Sequence, residues 1–109
     1  PTKIDIKKLE IMSFLKGESN ISGKKMRERA IELKCNLGQA EAEYLLEHEA
    51  EIPSEWQNFY LVFPGTLWRQ PDGSLHVPYL DWDGDRWCLE WAWLERGWSS
   101  YGRFVRLRG

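Results

Sequence analysis

Asp81, Asp83 and Asp85 alternate around Gly84, a spacing with which carboxylates can wrap a hard cation. A calcium loop of the EF-hand type needs Gly at its sixth position and a bidentate Glu at its twelfth. Here Gly comes fourth and the twelfth residue from Asp81 is Ala92, so a hairpin turn at Asp83-Gly84 is the better account. Cys88 and His76 would make a nucleophile and its base only if they stood about 3 Å apart. Cys35, His48, His76 and Cys88 are zinc-type ligands, but no two have metal-finger spacing. No glycine-rich phosphate loop, nucleophile elbow or paired-carboxylate arrangement occurs. The expectation is a protein that is not an enzyme and uses no metal or cofactor.

Tryptophan is the residue type left with functional potential, and all seven indoles lie between Trp56 and Trp98. Bases stacked on aromatic side chains gain about 1–3 kcal/mol each, and basic residues must track the backbone beside them. Arg69, Arg86, Arg96, Arg103, Arg106 and Arg108 lie in the same half of the chain. Residues 97–102, Gly-Trp-Ser-Ser-Tyr-Gly, form the best candidate recognition loop, because glycines flank two aromatics that no strand pattern requires to be buried. The candidate binding residues are therefore Trp98, Tyr101, Arg96, Arg103, Arg106 and Arg108. Trp56 is also expected at the surface, and the remaining indoles in the core. Sugar binding on exposed indoles would share this signature without needing Arg.

Charge and length narrow the classes further. A chain of 109 residues reads as one domain, with a helical part at 1–52 and a Trp-rich β part at 53–109. Net charge is −2, which argues against a dominant electrostatic footprint for nucleic acid. Its distribution is uneven: all seven Lys lie at or before Lys34, residues 41–55 carry six acids and no Lys or Arg, and three arginines end the chain. No run approaches the ~18 apolar residues of a membrane span, and the start lacks the pattern of a signal peptide. Cys35 and Cys88 are single and far apart, as for two reduced thiols. These features predict a cytoplasmic protein with no membrane partner.

Three helices are expected first. Apolar residues from Ile4 to Leu15 recur roughly at helical spacing and predict a helix over 4–16, stopped by Gly17. Ser22 is a suitable N-cap for a second, with Met26, Ala30, Ile31 and Leu33 inward and Arg29 among the charges facing water. Asn36 and Gln39 are in capping-box spacing for a third over 37–49, with Leu37, Ala40, Tyr44, Leu45 and His48 on one side. After Pro53 the period changes to strands at 58–63, 66–69, 74–82, 85–94 and 103–107, separated by Gly- and Pro-containing turns.

Turn type then predicts register. A two-residue turn at Asp83-Gly84 places Asp81 opposite Arg86 and Leu80 opposite Trp87. A three-residue loop at Pro71-Asp72-Gly73 places Arg69 opposite Leu75 and Trp68 opposite His76. One face of the sheet then carries Trp68, His76, Pro78, Leu80, Trp82, Trp87, Leu89, Trp91 and Trp93. The other carries Leu67, Arg69, Leu75, Val77, Tyr79, Asp81, Arg86, Cys88, Glu90 and Ala92, and looks solvated. His76 is expected half-buried between Trp68 and Trp91, on the face opposite Cys88. The Trp-rich face is too apolar for water and must be covered by the helices or by another molecule.

Several runs, Asn36-Leu37-Gly38, Tyr44-Leu45-Leu46-Glu47-His48, Ile52-Pro53, Leu61-Val62-Phe63-Pro64-Gly65-Thr66-Leu67-Trp68 and Val77-Pro78-Tyr79-Leu80-Asp81-Trp82-Asp83-Gly84-Asp85-Arg86-Trp87, together resemble a group of small uncharacterised bacterial proteins. The resemblance covers roughly residues 22–108. It implies a bacterial, single-domain protein and carries no activity, cofactor or site residue. The expected architecture is α+β: three N-terminal helices on a small antiparallel sheet of about five strands, curling toward a partly closed barrel. The expected function is a non-catalytic binding module for another protein or for a second copy of itself. The alternative is single-stranded nucleic acid bound through the exposed aromatics and C-terminal arginines.

Overall fold

The computed structural model describes residues 4–108. It has a mixed α+β architecture with two α-helices and a six-stranded sheet. In chain order the elements are β1 (Leu9–Met12), β2 (Asn20–Ile21), α1 (Gly23–Glu32), α2 (Gln39–Glu47), β3 (Tyr60–Val62), β4 (Trp68–Arg69), β5 (Leu75–Trp82), β6 (Trp87–Trp93), β7 (Trp98–Ser99) and β8 (Gly102–Leu107). Short 3-10 turns cover Ile6–Lys8, Glu49–Glu51 and Ser54–Asn58. None of the described helices is long and apolar enough to cross a membrane.

The expected first helix is instead a 3-10 turn followed by β1, which pairs antiparallel with β8 from Leu9↔Leu107 to Met12↔Phe104. Leu9 and Ile11 join one hydrophobic cluster while Met12 and Phe14 join the other, so the segment alternates between two buried faces. A strand apolar on both faces shows no polar stripe, and periodicity cannot separate it from a helix.

The sheet is open, not barrel-like. Its order runs β1, β8, β3, β5, with β6 on the far side of β5, and β4 shares with β3 the near edge of β5. The β3–β8 pair is parallel and the others antiparallel. Between β3 and β4 the chain leaves the edge over residues 63–67. Pro78 lies opposite this gap, where its missing N–H costs no ladder bond, while its carbonyl accepts from Phe63 N–H at 3.0 Å.

That excursion holds α2. Gly65 N–H donates to Leu37 O at 2.9 Å, Thr66 Oγ1 accepts from Gln39 N–H at 2.9 Å, and Glu41 Oε1 accepts from Gly38 N–H at 2.6 Å. The N-cap is thus Gly38, not Asn36, and a threonine 27 residues away supplies the hydroxyl that the capping position lacks. Ala42 and Leu45 are the buried residues of α2, and Ala40 is exposed. For α1 the Ser22 cap holds, its Oγ accepting from Lys25 N–H at 3.1 Å, but two expectations reverse: Ile31 is exposed and Arg29 is buried. Arg29 donates to Phe14 O at 2.8 Å and to the Glu18 carboxylate at 2.7 Å, tying the segment between β1 and β2 to the helix.

Two cores lie on either side of the sheet. One gathers Ala42, Leu45, Trp56, Leu61, Phe63, Leu80 and Trp87 beneath α2. The second gathers Phe14, Met26, Ala30, Val62, Val77, Ala92, Trp98 and Phe104 beneath α1 and the β2–β7 ribbon. The face expected to be solvated is therefore a second packed face. Val77, Ala92 and the indole of Trp98 all belong to this second core.

Candidate functional site

The register of β5 and β6 decides what each face presents. Trp82 pairs with Trp87, Leu80 with Leu89, Pro78 with Trp91 and His76 with Trp93. Asp83 N–H donates to Arg86 O at 3.1 Å across Gly84-Asp85, and Gly84 takes φ +100°. The two-residue turn is thus one position later than expected, with Gly first, as a type II′ turn favours. Asp83 Oδ1 fixes it by accepting from Asp85 and Arg86 N–H groups, both at 2.8 Å. Moving the turn by one moves every partner by two, so Asp81 faces Cys88 rather than Arg86 while the division between faces survives. The β4–β5 loop is as expected, with Trp68 opposite His76 and Arg69 opposite Leu75.

The Trp-bearing face is covered at one end only. α2 has nine residues, a length of about 13.5 Å, whereas the seven residues of β6 extend about 24 Å. Leu80, Trp87 and Leu89 lie under the α2 cluster. At the other end Trp68 is 48% exposed and Trp93 53% exposed, with His76 and Trp91 half-buried. These groups form a row across three strands, Trp68 on β4, His76 on β5 and Trp93 on β6, with Trp91 edge-on to Trp68 at 5.5 Å between ring centroids. His76 therefore stands between Trp68 and Trp93, its ring 6.4 Å from that of Trp68.

Two shallow depressions flank the row. One, about 390 Å3, is lined by Gln39, Thr66, Leu67, Trp68 and Trp91. The other, about 370 Å3, is lined by Gln70, Asp72, Ser74, His76 and Trp93. No Lys or Arg lines either. Asp72 Oδ1 accepts from the Ser74 hydroxyl at 2.7 Å and from Ser74 N–H at 2.9 Å, and these bonds hold its carboxyl below the usual range. Asp72 is the one carboxylate of this lining, and the Arg69 guanidinium lies near it, donating to Gly73 O at 3.2 Å. His76 Nδ1 is buried and has no hydrogen-bond partner among the described residues.

The residues singled out in the sequence are distributed differently. Trp98 is fully buried, its indole N–H donating to Leu94 O at 2.9 Å. Its neighbour Gly102 is a packing glycine: an added Cβ would come within 2.6 Å of the Phe14 and Tyr60 rings. Trp56 is buried as well. Tyr101 is 69% exposed, the one aromatic of the 97–102 loop at the surface. The Arg96 guanidinium lies over the rings of Trp98, Tyr60 and Tyr79 at 5.0, 5.4 and 6.0 Å. Arg103 lies 4.1 Å over Phe59 and donates to Ser100 O and Gly102 O. Arg106 pairs with Glu10 at 2.7 Å and donates to Leu33 O, and Arg108 donates to Lys7 O.

Cys88 and His76 sit on opposite faces of the sheet, the thiol donating to Asp83 Oδ2 at 3.6 Å. Among the described residues no group of three His, Cys, Asp or Glu side chains is placed to hold a metal ion. Trp68 and Trp93 were legible as members of the Trp face, but nothing local marked them as its uncovered end. The helix read from the sequence over 37–49 is longer than the observed α2, so the length mismatch with β6 emerges only in the structure. Comparison of the chain with protein-family models, with curated proteins and with solved structures finds no match.

Proposed function

We propose that this protein is a non-catalytic binding module whose ligand is another protein, docked on the uncovered end of the Trp-bearing sheet face. The observation that carries this reading is the pairing of two half-exposed indoles, Trp68 and Trp93, around a half-buried Trp91 and His76. Indoles flanked by depressions that no Lys or Arg lines match the composition of protein interfaces, where Trp anchors binding and charge is depleted from the core. No Lys or Arg lines either depression beside the indoles, where a polyanion would need cations.

Single-stranded nucleic acid is the second reading, and exposed Tyr101 is the observation that favours it. It would use Tyr101 with Arg96, Arg103, Arg106 and Arg108, each of which would have to leave or share an internal contact. β8, which carries Arg103 and Arg106, pairs with β1 and β3 and not with β6.

Capture from a bacterial lysate with the wild type and with Trp68→Ser/Trp93→Ser tests the first reading. It expects a defined protein held by the wild type and lost from the variant. A fluorescence titration with mixed single-stranded RNA and DNA, at low and near-physiological salt, tests the second. Saturable, salt-weakened quenching that disappears when Arg103, Arg106 and Arg108 are neutralised would replace the protein reading with the nucleic-acid one.

A further inference from the structure

Among the described residues β6 pairs with β5 alone, which leaves its second edge without a strand. Two bonds fix the phase of the β5–β6 ladder: Leu94 N–H to Leu75 O at 2.8 Å and Asp83 N–H to Arg86 O at 3.1 Å. Bonded and non-bonded pairs alternate in an antiparallel ladder, so Cys88, Glu90 and Ala92 turn their backbone groups toward β5. Trp87, Leu89, Trp91 and Trp93 turn theirs outward. The outer ends of this row are occupied. Trp87 N–H donates to Glu49 Oε1 at 2.7 Å, and Trp93 O accepts from Arg96 N–H at 3.2 Å. Between them, the N–H and C=O groups of Leu89 and Trp91 face no other described strand.

An edge of this kind is a template for another strand unless Lys, Pro or a bulge blunts it. β6 is seven residues long, reads Trp-Cys-Leu-Glu-Trp-Ala-Trp, and has Glu90 as its only charge. We propose that a second copy of this chain occupies the edge, β6 pairing antiparallel with its own counterpart about a two-fold axis at Trp91. This rests on the protein-binding reading above and names the partner.

The register follows from the outward groups. Pairing centred on Glu90 sets two like charges directly opposite each other, and pairing centred on Leu89 needs the Trp87 N–H, whose single proton Glu49 already holds; centring on Trp91 asks only that the Trp93 carbonyl, with its two lone pairs, accept a second bond beside that from Arg96 N–H. Centring on Trp91 sets Trp91 opposite Trp91, Leu89 opposite Trp93 and Glu90 opposite Ala92 of the second copy. Half-exposed Trp93 then lies beside Leu89 of the other copy, at the border of that copy's α2 core. The uncovered end of one molecule abuts the covered end of the other, and two-fold symmetry satisfies both at once.

Analytical ultracentrifugation of the wild type over a wide concentration range should show mass rising from 12.9 kDa toward twice that. Trp91→Pro removes an outward N–H and no β5–β6 bond. It should keep the circular dichroism of the fold and weaken self-association about tenfold or more, since two interstrand bonds are lost. In a Cys88→Ser background, Trp91→Cys should cross-link between copies under mild oxidation, because a bonded antiparallel pair has Cα atoms about 5.5 Å apart. Leu89→Cys should not, since its copies would lie about 14 Å apart. A wild type that stays monomeric throughout overturns the proposal, as does cross-linking at Leu89 rather than Trp91. If both Trp91→Pro and the cysteine variants misfold, Glu90→Lys, which adds an exposed edge cation, must still lower the wild-type mass. Loss of dimerisation leaves the capture result on Trp68 and Trp93 standing or falling by itself.

Discussion

Trp87 and Trp93 are the first and last residues of one strand, on one face of one sheet, yet the first is 3% exposed and the second 53%. Nothing in their own strand distinguishes them. The difference is made by α2, which is pinned at its start to the 63–67 excursion through Gly65 and Thr66 and is too short to reach along the whole of β6. The same alternating pattern that builds a core at one end thus leaves an aromatic surface at the other.

The largest expected effect tests that contrast directly. Trp87→Ala should cost about 3–5 kcal/mol in urea unfolding, the range for truncating a buried Trp. Trp93→Ala should cost about 1 kcal/mol or less, the scale of a cross-strand pair. Equal losses would mean that the far end of the face is packed after all.

Thr66→Val probes the anchor that sets where α2 begins. It keeps the side-chain shape and leaves Gln39 N–H without its acceptor, so a loss of about 1 kcal/mol is expected in the same assay. A null result would mean that the Gly65–Leu37 bond alone positions the helix.

The opposite face supplies a pH test. The Arg29 guanidinium, with help from Lys16 N–H, lowers the Glu18 carboxyl from 4.5 to about 2. A depressed folded-state value stabilises the protein above the unfolded pKa, and the contribution fades as pH falls from about 4.5 toward 2. Glu18→Gln should therefore be less stable than the wild type at pH 7, with the gap narrowing steadily as pH falls toward 2. A constant gap would assign the loss to packing instead of charge.

The smallest effect is one of rate. Burial pushes the Cys35 thiol up to about 11, whereas Cys88 is raised less and is only half-buried. A neutral thiol reagent at pH 8 should label Cys88 first and reach Cys35 only on unfolding, as mass spectrometry of the labelled chain would show. Early labelling of Cys35 would mean that the α1 side opens more readily than its packing suggests.

Local chemistry made part of this fold legible in the chain. Ser22 caps α1 as its side chain requires, Pro71-Asp72-Gly73 closes the β4–β5 hairpin with Gly73 at φ +90°, and period-two alternation divides β5 and β6 between two faces. That division survived a misplaced turn at Asp83-Gly84 because a one-residue shift of a two-residue turn preserves side-chain parity. The candidate site was less legible. Trp98 and Trp56 are expected at the surface and are core residues, since what buries such an indole comes from distant segments, for Trp98 the Tyr60 ring among them.

The sequence by itself determined which side chains share a face, where most turns fall and which segment forms α1, because these depend on neighbours within a few residues. Only the tertiary structure decided that residues 9–12 are a strand, that both faces of the sheet are covered, and that the cover stops short of Trp68 and Trp93. Those outcomes depend on contacts between distant segments, such as Thr66 with Gln39 and Leu9 with Leu107, and a periodic pattern carries no record of what will be packed against it.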